Sequence, residues 1–358
     1  MTENSGFLIE NGVLKKYCGS GEIAVIPRGV KEIGSRSFFN CRRLRCVMIP
    51  QGVTEIGWQA FYDCRGLQHV TLPDTLQAIG EKAFSGCAQL QHILIPGSVM
   101  HIGASAFSHC KRLGSAAIPP GVTRIENGLF AGCTALARVV IPAGVKTIGE
   151  GAFSGCRRLK RIELPNSVTQ IGGRAFFDCT ELAKAVLPDG LTALDEGTFS
   201  RCKSLSAITI PEGVTEIGKG AFSESGLRLA AVPDSVTHLG AEAFRGCETL
   251  AHITLPAGLK VLEDRVLYGC VSLPRIVIPE GVTKIGHWAF RECGRLTSIV
   301  VPDSVKKIEY DAFSSCGGLK VIELPAGLSI LSVKRRIRAG NALYTGRDTQ
   351  IVIRREKR

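Results

Sequence analysis

No run of about 18 apolar residues occurs in the chain, so no segment has the length and hydrophobicity of a membrane-spanning helix. Despite 14 Cys and 7 His, there is no Cys-x-x-Cys, His-Glu-x-x-His or Gly-x-Ser-x-Gly, nor an isolated carboxylate pair. The common signatures of zinc sites, metalloproteases and serine nucleophiles are thereby excluded. Residues Met1-Thr-Glu-Asn-Ser-Gly6 do not have the basic-then-apolar layout of a secretory signal, which gives the expectation of a cytoplasmic protein. Surface display or secretion by a non-standard route is the alternative. Methionine contributes only 3 residues and tryptophan 2 of 358. What is present is a packed composition, 45% hydrophobic and 21% charged, which rules out wholesale disorder.

Prolines stand at 27, 50, 73, 96, 119, 142, 165, 188 and 211, each 23 residues after the last. One step of 22 leads to Pro233, and the 23-residue spacing resumes at Pro256, Pro279, Pro302 and Pro325. This gives 13 units over residues 27–324, a 1–26 opening module and a 325–358 tail. A period of this length marks a stacked-repeat architecture. In the unit opened by Pro142 the recurring positions are Gly144, Val145, Ile148, Gly149, Ala152, Phe153, Cys156 and Leu159, with Ile162 and Leu164 before the next proline. The short unit drops one residue between Ser225, at the Cys position, and Leu227; everything is in phase again by Pro233.

Each unit carries about eight apolar side chains worth roughly 1.5–3 kcal/mol apiece when buried. Ordering its 23 residues costs roughly 1–2 kcal/mol each. A single unit cannot fold alone and must lie on its neighbours, the energetic logic of a solenoid. Alternation in Arg161-Ile-Glu-Leu164 predicts a strand with Ile162 and Leu164 inward and Arg161 and Glu163 outward. Val145–Gly149 predicts a second, shorter extended piece, and 150–156 a short helical turn that plugs Phe153 into the interior.

These residues resemble the BspA-like (treponemal-type) bacterial leucine-rich repeats, with Leu-x-x-Ile-x-Leu-Pro…Val-x-x-Ile-Gly-x-x-Ala-Phe-x-x-Cys recurring from Pro27 to Leu324. Phe7–Gly19 is similar to the opening module that precedes such arrays. The resemblance implies a leucine-rich repeat solenoid with a parallel sheet on its concave side, used to bind other macromolecules. For some relatives it implies a surface adhesin role.

Thirteen of the 14 cysteines fall on the 23-residue grid from Cys18 to Cys316, and only Cys46 lies off it. One phase means a ladder of small buried thiols rather than disulfides. Cys46, on an outward strand position, is the candidate reactive thiol. The phenylalanines share a second phase, with Leu267 substituting once, and form an interior spine. Gly213–Gly220 approaches a phosphate-binding loop but ends in Gly220 where Ser or Thr must hold magnesium, and its Val214 and Ile217 are core positions. No cofactor or metal is expected, and no catalytic residue.

With the core positions fixed by stacking, recognition falls to the outward strand positions. Four residues before each proline they include His69, His92, Arg138, Arg161, Lys184, His252 and Arg275; Glu163 interrupts the mostly apolar row two before proline. Arg138, Arg161 and Lys184 form a basic stripe beside apolar neighbours, the composition of a protein interface. The expected function is non-catalytic binding of a protein partner, an acidic one, with no small-molecule substrate. The tail carries +7 of the net +12, through residues including Lys334, Arg335, Arg336, Arg338, Arg354 and Arg355. It reads as a nucleic-acid arm or, since Tyr344–Ile353 matches Tyr17–Ile26 in spacing, as a cap over the last apolar edge.

Overall fold

The computed structural model describes residues 6–326, 328 and 350–354. The chain divides into two compact units, Met1–Leu182 and Ala183–Arg358, and each is a parallel-strand solenoid of stacked coils about 23 residues long. In the coil opened by Pro142, the proline carbonyl accepts a hydrogen bond from Val145 N at 3.2 Å and turns the chain. The two-residue strand Thr147–Ile148 follows and pairs in parallel with Arg124–Ile125 and Gln170–Ile171, each residue facing its equivalent 23 positions away. The Gly149 amide then donates to the Ile125 carbonyl at 2.7 Å. A Cβ on Gly149 would lie 2.6 Å from Asn127 N, so the backbones of adjacent coils meet here with no room for a side chain.

The next segment departs from the expected helical turn. Among the described residues there is no helix; residues 150–155 form consecutive turns. The amides of Gly151, Phe153 and Gly155 donate to carbonyls of Gly173, Ala175 and Phe177 on the next coil, at 3.0, 2.8 and 2.7 Å. The amides between them close local turns, Ser154 to Gly151 at 2.9 Å and Cys156 to Phe153 at 3.1 Å. A helix would send every amide back four residues within its own turn; here alternate amides hold the neighbouring coil. Gly151 and Gly155 both have left-handed φ, +57° and +72°, which a right-handed helix does not admit. The same pair of positive-φ positions recurs in other coils, for example Arg36 with Asn40 and Trp288 with Glu292.

In the first unit, a hairpin of Phe7–Glu10 and Val13–Tyr17 closes the end through Asn11-Gly12, both at positive φ, the residue pair favoured by a two-residue hairpin turn. Val13–Tyr17 pairs in parallel with Glu32–Ile33, handing the hairpin on to the ladder of two-residue strands. The rings of Tyr17, Phe38, Phe61, Phe84, Phe107, Phe130, Phe153 and Phe176 stack with successive centroids 4.7–5.8 Å apart. Because Tyr17 takes the ring position two residues later than the 23-residue count requires, Cys18 falls out of the thiol ladder. It is exposed, contrary to its place on the sequence grid.

In the second unit, rings stack from Phe199 through Phe222 to Phe244 and again from Phe290 to Phe313, and buried Leu267 fills the gap. The short coil is absorbed without loss of register: Glu216 and Ile217 pair with His238 and Leu239, and Leu229 with His252. The strand Val321–Leu324 pairs in parallel with Gln350–Ile353, so part of the tail extends the sheet of the last coil.

Candidate functional site

The inward columns leave few side chains for outside contact. The buried thiols from Cys64 onward are free, and several donate to the carbonyl of the Phe 26 residues earlier: Cys133 to Phe107 at 3.0 Å and Cys156 to Phe130 at 3.2 Å. Burial raises the pKa of several of them, Cys87, Cys179 and Cys270 among them, and takes Cys316 to about 12. Among the described residues, no cluster of three or more His, Cys, Asp or Glu could hold a metal ion. No helix there is long and apolar enough to cross a membrane.

On the three-residue strands the outward positions carry the variation. In the first unit His69, Arg138, Arg161 and Glu163 are exposed on His69–Thr71, Arg138–Val140 and Arg161–Glu163. His92 is exposed on an extended segment outside any strand, beside Leu94, which is 84% exposed. Met48 and Val140 continue that apolar row at 48% and 47% exposure. Arg161 forms an ion pair with Glu163 on its own strand; a pair this exposed contributes little stability. Arg138 has no ion-pair partner among the described residues. In the second unit Lys184 and His252 are exposed on Lys184–Val186 and His252–Thr254, and Arg275 on an extended segment. Of the tail residues, Arg354 is described. It pairs with Asp303 at 2.9 Å, donates to the Val301 carbonyl, and its own amide donates to the Leu324 carbonyl. Lys334, Arg335, Arg336, Arg338 and Arg355 lie outside the described residues.

Sequence reasoning passed over one group in the second unit. A cavity of about 440 Å³ opens at the missing residue, lined by Ser225 and Gly226 together with Lys203, Arg245 and Tyr268. Beside it the Arg265 guanidinium lies 4.4 Å over the Trp288 ring and 3.1 Å from Glu242, while Tyr268 donates to Glu292 at 2.7 Å. The signal was present in the spacing: Arg245, Tyr268 and Arg291 follow the spine position at one phase, where Ser85, Ser108 and Ser154 stand in other coils.

The chain matches the BspA type leucine-rich repeat region over residues 9–137, 124–251 and 230–334. It is similar to a leucine-rich repeat protein of Bacteroides ovatus, at 29% identity and a TM-score of 0.81, covering 99% of this chain and 97% of that one. A leucine-rich cell surface protein of Faecalibacterium prausnitzii is 26% identical with a TM-score of 0.59, covering 98% and 93%. The pneumococcal vaccine antigen PcpA shares the fold at 17% identity and a TM-score of 0.58, covering 98% and 96%. No curated protein sequence matches the chain. Repeats over nearly the whole length, free inward thiols and this likeness to solved leucine-rich repeat structures agree, and the chain belongs to the BspA-type leucine-rich repeat family.

Proposed function

We propose that this protein is a non-catalytic protein-binding scaffold whose partner docks on the outward positions of its three-residue strands. The observation that carries the reading is the contrast within one strand: Ile162 is 1% exposed and serves the core, while Arg161 and Glu163 on either side face out. Arg138 and Arg161, with the exposed apolar row of Met48, Leu94 and Val140, suit an acidic protein surface that also presents apolar anchors. Lys184, His252 and Arg275 give the second unit equivalent positions. Affinity capture from the source cell with wild type and with Arg138→Glu/Arg161→Glu tests this. Loss of captured proteins from the double variant supports it, and an unchanged set rejects it.

A surface location for the same scaffold is favoured by its likeness to the leucine-rich cell surface protein of Faecalibacterium prausnitzii; fractionation of the source cell decides between that and the cytoplasm. The tail fits a cap better than a nucleic-acid arm, because Gln350–Ile353 pairs with the last coil and Arg354 is engaged with Asp303. Removing residues 333–358 then lowers solubility and cooperativity of unfolding, whereas loss of salt-sensitive DNA retention with unchanged stability would assign the arm.

A further inference from the structure

The thiol ladder of the first unit ends at a rung open to solvent. Cys64, Cys87, Cys110, Cys133, Cys156 and Cys179 are buried, but Cys41 is half-buried. Cys41 lines a cavity of about 280 Å³ whose walls include Tyr17, Asn40, Arg42 and Arg43. A small polar oxidant fits there, and the thiolate is the reactive form of a cysteine. Behind Cys41 lies Cys64, the next rung, whose thiol donates to the Phe38 carbonyl at 3.0 Å and so points into the coil that carries Cys41.

The spacing of these two coils suits a bond between them. Phe38 and Phe61 each precede their cysteine by three residues, and their rings stack at 4.7 Å. Beside the two cysteines the Asn40 amide donates to the Tyr62 carbonyl at 2.8 Å; hydrogen-bonded extended backbones lie roughly 4.7–4.9 Å apart, inside the roughly 4.4–6.8 Å between Cα atoms that a disulfide needs. The neighbouring Cys64 thiol also draws Cys41 below the ordinary thiol range, against the opposing effect of burial. The nearby Cys41, with burial, pushes Cys64 far up. One rung is activated and half-buried beside the cavity while its neighbour is protonated and enclosed.

We propose that Cys41 is a peroxide-sensitive thiol and Cys64 its resolving partner, joined on oxidation by a disulfide between adjacent coils. The Cys41 thiolate attacks one oxygen of hydrogen peroxide. The S–O bond forms, the O–O bond breaks, and the departing hydroxide becomes water with the proton Cys41 gave up. The Cys64 sulfur then attacks the Cys41 sulfenic sulfur; the S–S bond forms, the S–O bond breaks, and the Cys64 proton leaves with that oxygen as a second water. Two thiols are oxidised by two electrons and the peroxide is reduced. Cys46, the thiol singled out by its outward position, lines no such cavity among those described.

Mass spectrometry of the full-length chain tests the proposal. Cys46 and Cys64 share the tryptic peptide 46–65, so a Cys46→Ser background assigns any link to Cys64 alone. Serine is compatible with a rung, because Ser225 occupies one and hydrogen-bonds Cys247 at 3.3 Å. After hydrogen peroxide, blocking with N-ethylmaleimide and trypsin, the expected product is peptide 37–42 joined to peptide 46–65. Cys64→Ser should abolish the link and leave Cys41 as a sulfenic acid trapped by dimedone. Before oxidation, Cys41 should alkylate about tenfold or more faster than Cys87. The proposal is overturned if Cys41 is oxidised no faster than Cys87, or if it pairs with Cys18 or between chains instead.

Discussion

The coil opened by Pro142 and the coil opened by Pro211 differ by one residue, and the difference shows which parts of the repeat are fixed. In the full coil Cys156 and Leu159 are buried and Phe153 is stacked between Phe130 and Phe176. In the short coil Phe222 keeps its stack and Leu227 is fully buried, while Ser225 takes the rung. The shortening falls in the turn between them, where a close approach like that of Gly66 in a full coil is kept. Gly226 passes so close to the preceding coil that a Cβ would stand 2.0 Å from the Lys203 carbonyl oxygen. Length can be lost from an outer turn, while a large apolar plug (a ring, or Leu267 in one coil), a small rung and the leucine are kept.

The largest effect belongs to the shared element. Phe153→Ala and Phe222→Ala should each destabilise by about 3–5 kcal/mol in urea titration, and a much smaller loss in the short coil would mean its spine is already slack. Alkali acts next. Cys247 is raised from 9.0 to about 11, chiefly by burial, so the folded state retains a proton that the unfolded state releases above about 9. Stability is full below pH 9 and falls between pH 9 and 11, by on the order of 2–3 kcal/mol from this rung. Cys247→Ser should shallow the fall, and an unchanged alkaline slope would count against a buried protonated rung. Gly226→Ala should follow at about 2 kcal/mol, because the Lys203 backbone blocks the added carbon. Inserting one residue before Gly226, which restores 23, should change stability by about 1 kcal/mol or less.

The repeat length, the buried columns and the inward-outward alternation of Arg161, Ile162 and Glu163 could all be read from spacing, because each is a property every coil repeats. The turn region could not. The periodicity around Phe153 is compatible with a helical turn, and only the bonds from Gly151, Phe153 and Gly155 to the next coil show that alternate amides leave the local chain. Nor does a 23-residue count reveal that Tyr17 shifts the frame by two, placing Cys18 outside and leaving Cys41 as the open rung. The outward residues were legible as exposed, but the partnering of Arg161 with Glu163 depends on rotamers that no sequence pattern encodes.

The division between cohesive and outward positions meets its most direct test in one urea titration that sets Phe153→Ala beside Arg138→Glu/Arg161→Glu. The inward change should lower the unfolding midpoint by an amount equivalent to several kcal/mol, while the outward pair should stay within about 0.5 kcal/mol of wild type. Comparable losses in both would contradict the account, because the strand face would then be holding the coils together instead of standing free for a partner.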